Sequence, residues 1–359
     1  MENADQKPDQ ADPPKSCQKS WLKSWLGGLN WNKILRRFAV ALMCIFLTIL
    51  ILYLSGAVFY NGPFTQAGWG NGILAILWSV AVVTIFFRFK DWKKRSIWLV
   101  PAFLVVLIPY LMIQPSNDRD WEPEFKRTGY AEISGDIVTL FNVRNFKHRA
   151  RDHYDERWES RTFHLSKLRG LDYFQSNFYG DTLAHPILSF DFGDEGRVCL
   201  SVETRREAGE KFTPIGGLYK IFDLQYLFIT EDDCIPLRTM VREETVRRYT
   251  IDGTPEHIRK LFLAALEIQN ELAENPQFYN VINANCTTSL NALQAKQNRV
   301  PWEMRLLFNG MLDQYLYEQG LILKNDLSFE QLRNKAIINE AANAAAGKPG
   351  FSKKIRGSN

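Results

Sequence analysis

The sequence predicts three N-terminal transmembrane helices followed by one α+β domain. Three long apolar runs without charged residues lie before residue 115, and basic residues cluster beside them. After residue 115, short runs rich in β-branched and aromatic residues alternate with Gly, Asp and Asn, and helix-type spacing of apolar residues follows. The 359 residues, of which 46% are hydrophobic, are enough for a membrane anchor and a folded domain with its own core.

The predicted membrane anchor, residues 38–114, contains the apolar runs Phe38–Tyr60, Gly68–Phe87 and Ser96–Ile113. Runs of this length cross the hydrocarbon core of a bilayer. The two prolines of the third run are compatible with a span, because transmembrane helices tolerate proline. The alternative is three buried helices of a soluble core, but such a core would not require basic residues on one side of the runs.

The positions of the basic residues predict how the spans are oriented. Arg36 and Arg37 precede the first span, and the loop Arg88–Arg95 between the second and third spans contains five basic residues. Because such loops stay in the cytoplasm, residues 1–37 should form a cytoplasmic tail and the turn Asn61–Gln66 should lie outside. We therefore expect a protein of the bacterial inner membrane whose C-terminal domain is periplasmic. The polar tail is too long for a cleavable signal peptide.

We expect the periplasmic domain to comprise residues 116–346, followed by a flexible Gly-, Lys- and Ser-rich tail at 347–359. Its predicted strands are 137–143, 162–165, 188–192, 198–202 and 218–228. Thr254 and Pro255 then begin a helix whose apolar residues follow one face as far as Leu272. The later predicted helices are 285–297, 302–319 and 328–346.

Composition and motif spacing exclude several classes of function. The net charge of +4 is small, and no basic helix, basic–aromatic ladder or finger spacing indicates nucleic-acid binding. None of the five cysteines forms a CxxC pair, which excludes zinc-finger and thioredoxin sites. His148, Asp152, His153 and Asp155 lie close together but lack the spacing of a metallohydrolase motif. We expect them to form a charged surface segment, and we predict no metal and no cofactor.

Cys286 is the strongest candidate for chemistry. It follows Asn285, a good helix N-cap, and so lies in the first turn of a predicted helix, where unpaired backbone N–H groups favour a thiolate. His185, which begins a strand-like run, is a possible proton acceptor. The alternative is that Cys286 fills apolar space, as free cysteines commonly do. The neighbouring Asn and Thr residues argue against a wholly apolar environment.

Cys199 and Cys234 are weaker candidates. Cys199 lies in an apolar strand-like run, where burial should keep the thiol neutral. Three acidic residues directly precede Cys234, and their negative charges should oppose a thiolate.

A partner for His185 depends on the register of the hairpin that the sequence predicts around residues 192–196. A five-residue turn pairs Asp191 with Arg197, and Glu203 then falls opposite His185. A four-residue turn places Thr204 there instead, and Glu203 leaves that face. Glu203 is therefore a candidate to orient the imidazole, and its alternative role is an ion pair with a neighbouring arginine.

The order of these elements, a sheet with the histidine before the helix with the cysteine, is the reverse of papain and matches permuted papain-like enzymes. Several motifs make the resemblance more specific: Trp121 after Asp118–Asp120, Asn142–Phe146, Ala184–His185 with Leu188–Phe190, Ser201–Glu203 with Arg205–Glu210, and Asn285–Thr288. From about Arg119 to Leu293, the chain resembles the Lnb N-terminal periplasmic domain family (DUF4105), which is named after lipoprotein N-acyltransferases. The Asn-Cys pair is also similar to NlpC/P60-like enzymes, although Thr287-Thr288 replaces their Glu-His.

The resemblance implies an α+β permuted papain-like (NlpC/P60-like) domain with Cys286 as nucleophile and His185 as general base. In such a site the thiolate attacks an ester or amide carbonyl, and an amine or water then resolves the thioester.

Three further polar residues are candidates for substrate binding. Asn285 could shape an oxyanion site, or it could simply cap the helix. Arg144 and Arg206 could bind a phosphate or carboxylate, or they could brace loops through carboxylates such as those of Glu207 and Glu210.

These observations predict a membrane-anchored thiol acyltransferase that acts on lipid or lipoprotein. A periplasmic cysteine peptidase or amidase with the same Cys and His is the second hypothesis. A non-catalytic envelope scaffold protein, in which the pair is vestigial, is the third. No sequence feature indicates an oligomeric state.

Overall fold

A computed structural model describes residues 30–64, 68–150, 153–295, 299–301 and 303–357. The chain divides into two units: one contains the described residues up to Phe59 together with Gly72–Leu107, and the other contains Tyr60–Asn71 and everything from Ile108 onward. Residues 1–29 of the expected cytoplasmic tail, which include Cys17, lie outside the described residues.

The first unit contains most of three long helices: α1 (Trp31–Asn61), α2 (Trp69–Arg88) and α3 (Trp92–Met112). Each is long and apolar enough to cross a membrane. The three predicted membrane helices are therefore confirmed. The first helix begins seven residues before the apolar run at Phe38, since its basic N-terminal turns are also helical.

The second unit is built on an eight-stranded sheet in the order β1-β2-β9-β8-β7-β6-β10, with β5 pairing the other side of β2. The strands are β1 (Tyr130–Ser134), β2 (Ile137–Arg144), β5 (Trp158–His164), β6 (Gly170–Tyr179), β7 (Leu183–Asp191), β8 (Arg197–Arg205), β9 (Asp223–Ile229) and β10 (Thr245–Thr250), and β3 (Lys147–Ala150) and β4 (His153–Asp155) form a separate hairpin. All neighbours are antiparallel except β2 and β9.

The β7–β8 hairpin positions the candidate histidine. Asp191 pairs with Arg197, so the five-residue turn is the one that forms. Strand β7 starts earlier than predicted and continues through Pro186, where it is hydrogen-bonded to β6. The β7–β8 ladder ends at Ile187–Ser201, so no partner on the β8 side needs an N–H from Pro186. Extended by the same register, the hairpin brings His185 opposite Glu203.

Helix α4 (Glu231–Pro236) follows β9. Helix α5 (Pro255–Glu274), which begins as predicted, covers one face of the sheet. The Thr254 side chain accepts a hydrogen bond from the backbone of His257, and proline occupies the first turn. Phe262 lies at the centre of this layer, where its ring contacts Phe190 and Phe228. The next helix, α6 (Cys286–Ala292), is shorter than the predicted 285–297, and residues 296–297 lie outside the described residues.

The C-terminal part of the chain contains α7 (Leu312–Glu318), α8 (Phe329–Lys335), α9 (Asn339–Ala345) and α10 (Phe351–Lys354). Helices α7 and α8 pack against Tyr173 and Tyr249 on the same face as α5, whereas α9 and α10 cover the opposite face. The two long predicted helices are broken into short ones, and Trp302 lies outside the described residues. The expected flexible tail at 347–359 is wrong for its described residues up to 357. Phe351 and Ile355 are buried against the sheet because this face would otherwise expose Phe174 and Ile187.

Candidate functional site

The second unit contains a cleft of about 240 Å³ that Cys286, His185 and Glu203 all line. Sheet strands β7 and β8 provide one wall, helix α6 provides another, and the segments around residues 212–214 and 307–309 complete it. Of the other predicted site residues, Asn285 and Arg206 also line this cleft.

Cys286 is the first residue of α6, and Asn285 caps that helix as predicted. The Asn285 side-chain oxygen accepts hydrogen bonds from the N–H groups of Thr287 and Thr288, both at 2.8 Å. The Thr288 hydroxyl in turn accepts from the Asn285 N–H at 2.9 Å, which completes a capping box. The Asn285 side-chain NH₂ donates to the carbonyl of Val281 at 2.7 Å. Both ends of the amide are engaged by the loop that it caps, and the role of Asn285 in an oxyanion site stays a prediction.

His185 is held by a short polar chain across the β7–β8 hairpin. Its Nε2 lies 2.6 Å from the Ser201 hydroxyl and 3.3 Å from a Glu203 carboxylate oxygen. The Ser201 hydroxyl donates to the same Glu203 oxygen at 2.6 Å. The imidazole also interacts with the Cys286 thiol. The sequence analysis assigned Ser201 no role at the site, although strand alternation places it on the same face of the strand as Glu203.

The surroundings of His185 favour its charged form. Burial lowers the pKa of the imidazole, but the Glu203 carboxylate and the contact with Cys286 outweigh burial and raise that pKa to about 9. Burial likewise raises the pKa of Glu203, but the charges of His185 and Arg238 hold it well below the usual carboxyl value. At neutral pH the site therefore contains an imidazolium beside a carboxylate, and a cation next to a cysteine stabilises negative charge on sulfur.

Arg238 is a second site residue that the sequence analysis missed. It lies in a π-helical turn, Leu237–Val241, and its guanidinium is buried 3.1 Å from Glu203 and 3.6 Å from Glu244. Glu203 thus has two cationic partners, which fixes the carboxylate in its ionised form behind His185.

Asn309 connects the cysteine helix to the histidine strand. Its side-chain NH₂ donates to the Thr287 hydroxyl at 2.7 Å and lies 3.7 Å from the Cys286 sulfur. Its side-chain oxygen accepts from the Ala184 N–H at 2.8 Å. The amide therefore provides an N–H donor directly beside the candidate nucleophile. No local motif indicated this residue, because its partners lie far away in sequence.

The two predicted arginines differ in their surroundings. Arg206 lines the cleft and forms an ion pair with Glu122 at 2.8 Å. Arg144 is buried and binds both oxygens of Asp233, at 2.9 and 3.1 Å. Arg144 is not among the residues that line the cleft, and its guanidinium braces the β2 end of the sheet, which is the kind of alternative role that the sequence left open. Arg206 thus pairs with Glu122 and Arg144 pairs with Asp233, whereas the sequence had suggested Glu207 and Glu210 as partners.

The cluster around His148 also differs from the expected surface segment. The side chain of His148 is buried, and its Nε2 lies 2.7 Å from Asp233. His153 and Asp155 are exposed, and Asp152 lies outside the described residues. Among the residues that the structure describes, no group of three His, Cys, Asp or Glu side chains is placed to hold a metal ion.

Cys199 and Cys234 are both buried and interact with each other. Burial raises the pKa of the Cys199 thiol well above its usual value, as expected. The negative charge of Asp233 raises the pKa of Cys234, as expected, but other groups outweigh it. Its hydrogen bond with Cys199 and the charges of Arg238 and Arg144 lower its pKa to about 7, against the effect of burial. Lack of access to solvent, rather than the preceding acidic residues, therefore protects Cys234 from reagents.

Residues 154–310 match the family model of the Lnb N-terminal periplasmic domain. The matched segment begins in β4 and ends one residue after Asn309, so it includes Cys286, His185 and Glu203. No curated protein and no solved structure matched the chain. The chain therefore carries, at residues 154–310, a segment similar to the Lnb N-terminal periplasmic domain, together with three helices long and apolar enough to cross a membrane.

Proposed function

We propose that this protein is a membrane-anchored thiol acyltransferase that acts on lipid or lipoprotein at the outer face of the inner membrane. The observation that supports the proposal best is the Cys286 thiol beside the His185–Glu203 pair in one cleft. A nucleophile, a proton carrier and an orienting carboxylate are the groups that acyl transfer through a covalent intermediate requires.

In the first half of the reaction, the Cys286 thiolate attacks an ester carbonyl of the acyl donor. The new C–S bond places negative charge on the carbonyl oxygen, and the Asn309 NH₂ beside the sulfur is the donor that can stabilise this charge. When the C–O bond breaks, the His185 imidazolium gives its proton to the leaving alcohol. The products are an alcohol, a neutral imidazole and a thioester on Cys286.

In the second half, an amine attacks the thioester and Cys286 leaves as a thiolate. The neutral imidazole takes the proton that the amine loses, which restores the starting imidazolium. Glu203 keeps the ring charged between cycles and fixes its orientation, in the manner of the carboxylate in a Ser-His-Asp triad. With a pKa of about 9, His185 begins the cycle as an acid and becomes the general base only in this second half.

The lining of the cleft is consistent with an acyl donor. Apolar side chains form much of its wall: Phe178, Leu183, Phe212, Pro214, Val281 and Leu307. Such a wall suits a hydrocarbon chain next to a few polar groups that hold the reacting carbonyl.

The test is to trap the covalent intermediate. We expect that the full-length protein, reconstituted in vesicles with a phospholipid that carries an alkyne-tagged acyl chain, will form a hydroxylamine-sensitive adduct on the Cys286 peptide. Cys286→Ala should abolish the adduct, and Cys44→Ala, a change within a membrane helix, is the matched control that should retain it.

Other outcomes separate the alternatives. Absence of an acyl adduct together with Cys286-dependent cleavage of peptides would contradict the proposal and favour a peptidase or amidase. Full complementation of a deletion strain by Cys286→Ala would favour the scaffold role.

A further inference from the structure

The loop between β8 and β9, residues 206–222, contacts both the cleft and the outer ends of the membrane helices. Phe212 and Pro214 in this loop line the cleft. The residues that continue α1 and α3 out of the membrane, Tyr60–Asn71 and the residues from Ile108, belong to the same structural unit as this loop. Contacts between them can therefore be described within one unit.

Lys220 binds the end of α3. Its ammonium group donates to the carbonyls of Leu111 and Ile113 at 3.1 and 3.0 Å, and it lies 5.5 Å from the ring centre of Tyr110. Carbonyls in the last turn of a helix have no partner within the helix, and a lysine is a favourable cap for them. This contact attaches the loop to the residues where the third apolar helix ends.

A second pair of contacts attaches the same loop to the end of α1. The Asn61 side chain donates to the carbonyl of Lys220 at 3.1 Å, and the rings of Tyr60 and Tyr219 are stacked with their centres 5.0 Å apart. Tyrosine and lysine are the residue types that anchor helices at the membrane–water interface. The 206–222 loop therefore lies at the level where two spans leave the bilayer.

The side chains that this loop and the neighbouring turn expose are apolar. Ile215 is 62% exposed and Phe212 is 37% exposed, although both lie in a segment otherwise held by hydrogen bonds. In the turn that follows α1, Phe64 is 60% exposed, and Trp69 at the start of α2 is 85% exposed. Large apolar side chains exposed on segments that follow the membrane helices, or that are bonded to their ends, indicate contact with lipid.

The loop is also fixed against the wall of the cleft. Gly217 packs on Tyr279, and a side chain there would have to lie 3.3 Å from that ring. The Val281 N–H donates to the Gly217 carbonyl at 2.9 Å. Because Tyr279 and Val281 line the cleft as well, the loop packs directly on the cleft wall.

We infer that Phe212–Ile215 is a lip that inserts into the headgroup region of the outer leaflet, so that the cleft receives its substrate from a phospholipid surface. The lip therefore binds the phospholipid bilayer itself. That the cleft is the acyl-transfer site rests on the proposed function, whereas contact of the lip with lipid does not.

The test places a fluorescent probe on the lip of the full-length protein in vesicles of phosphatidylethanolamine and phosphatidylglycerol. Ile215→Cys is labelled with an environment-sensitive nitrobenzoxadiazole dye in a Cys17→Ser, Cys44→Ser, Cys286→Ala background, in which Cys199 and Cys234 remain buried. The matched control is Ile337→Cys in the same background, since Ile337 is another exposed isoleucine but pairs with β10 at the sheet edge.

We expect the dye at position 215 to emit at shorter wavelength than the dye at position 337. Lipids with a nitroxide in the headgroup region should quench the dye at position 215 several-fold more strongly than the dye at position 337. Equal emission and equal quenching at the two positions would overturn the inference. Phe212→Cys provides a second lip position in case Ile215→Cys does not fold.

Because the background lacks Cys286, this readout is independent of acyl transfer. A lip that contacts lipid in a protein that forms no acyl adduct would contradict the proposed function and leave the lip in place. If the protein forms the acyl adduct but the dye on the lip is exposed to water, the lip inference is overturned and the proposed function stands.

Discussion

The surroundings of the Cys286 sulfur are set by neighbouring side chains more than by the end of helix α6. The sequence suggested that unpaired N–H groups in the first turn would favour a thiolate at Cys286. In the structure, the N–H groups of Thr287 and Thr288 are both occupied by the Asn285 cap, and the helix has only seven residues. We therefore expect the imidazolium beside Glu203, and not the helix end, to be the group that would stabilise negative charge on sulfur.

Selective alkylation should follow from this arrangement. We expect Cys286 to react with iodoacetamide well below pH 8.5, where an ordinary thiol is largely protonated. His185→Ala should remove the low-pH reactivity, because it removes the cation. Peptide mass spectrometry of the detergent-solubilised protein across pH is the measurement. Faster labelling of Cys199 or Cys234, or no effect of His185→Ala, would show that the nucleophile is assigned wrongly.

The His185–Glu203 pair should also make stability depend on pH. Because its folded-state pKa of about 9 lies above the unfolded value of about 6.5, the pair's contribution is fully present below about pH 6.5 and is lost as the pH rises through 9. The shift corresponds to about 3 kcal/mol at most. We expect thermal unfolding between pH 7 and 10 to show this loss, and Glu203→Gln to diminish it.

Glu195→Gln is the matched control for that measurement. Glu195 also bonds a histidine, His164, at 2.6 Å, but it lies in the β7–β8 turn and does not line the cleft. The control should keep the wild-type difference between pH 7 and 10. A pH profile of Glu203→Gln identical to that of the control would contradict the role of Glu203.

At the scale of an element, the segment around Gly310 connects the cleft to the β6–β7 turn. A Cβ at this position would lie only 2.3 Å from the Asp181 carbonyl oxygen, a backbone atom that cannot move aside. We expect Gly310→Ala to displace Asn309 and to lower the rate of Cys286 acylation while the domain remains folded. Gly253→Ala is the control, since its nearest neighbour would lie 3.6 Å away. Equal acylation rates would show that Asn309 does not position the site.

The C-terminal helix α10 is a second element whose role can be tested. Phe351 is buried on the sheet, and Arg356 binds Glu231 and Asp172, at 2.5 and 2.7 Å. Phe351→Ala should destabilise the domain by about 3–5 kcal/mol. Arg356→Gln should also be strongly destabilising, because it leaves Glu231 buried without its cation.

Thermal unfolding of the full-length protein measures both effects. Lys353→Ala, an exposed change in the same helix, is the control and should be nearly neutral. Variants of Phe351 and Arg356 that unfold at the control's temperature would contradict the packing of this segment.

At the scale of the whole molecule, the basic residues predict a cytoplasmic N-terminus, and three membrane crossings then place the C-terminal domain on the opposite side. Arg36, Arg37 and the loop Arg88–Arg95 lie beside apolar helices that are each long enough to span the membrane. We therefore expect alkaline phosphatase fused after Asn359 to be active and a fluorescent protein that folds only in the cytoplasm to be dark. The opposite result would reverse the orientation, and with it the periplasmic setting of the cleft.

The sequence by itself determined the features that depend on neighbouring residues. Unbroken apolar runs predicted the three membrane helices, and the two possible turn lengths of the hairpin left either Glu203 or Thr204 opposite His185. Thr254 and Asn285 predicted the starts of α5 and α6, because a cap bonds to N–H groups only two or three residues away. The permuted papain-like arrangement stays a prediction.

The tertiary structure decided which distant polar groups share the site and which are buried elsewhere. Asn309 reaches Ala184 from 125 residues away, and Arg144 finds Asp233 at a separation of 89. Local patterns contain no information about such pairs, because a buried charge or amide bonds to whichever partner chain packing brings within reach. For the same reason the polar composition of the tail concealed Phe351, whose burial depends on an apolar sheet face built from residues far earlier in the chain.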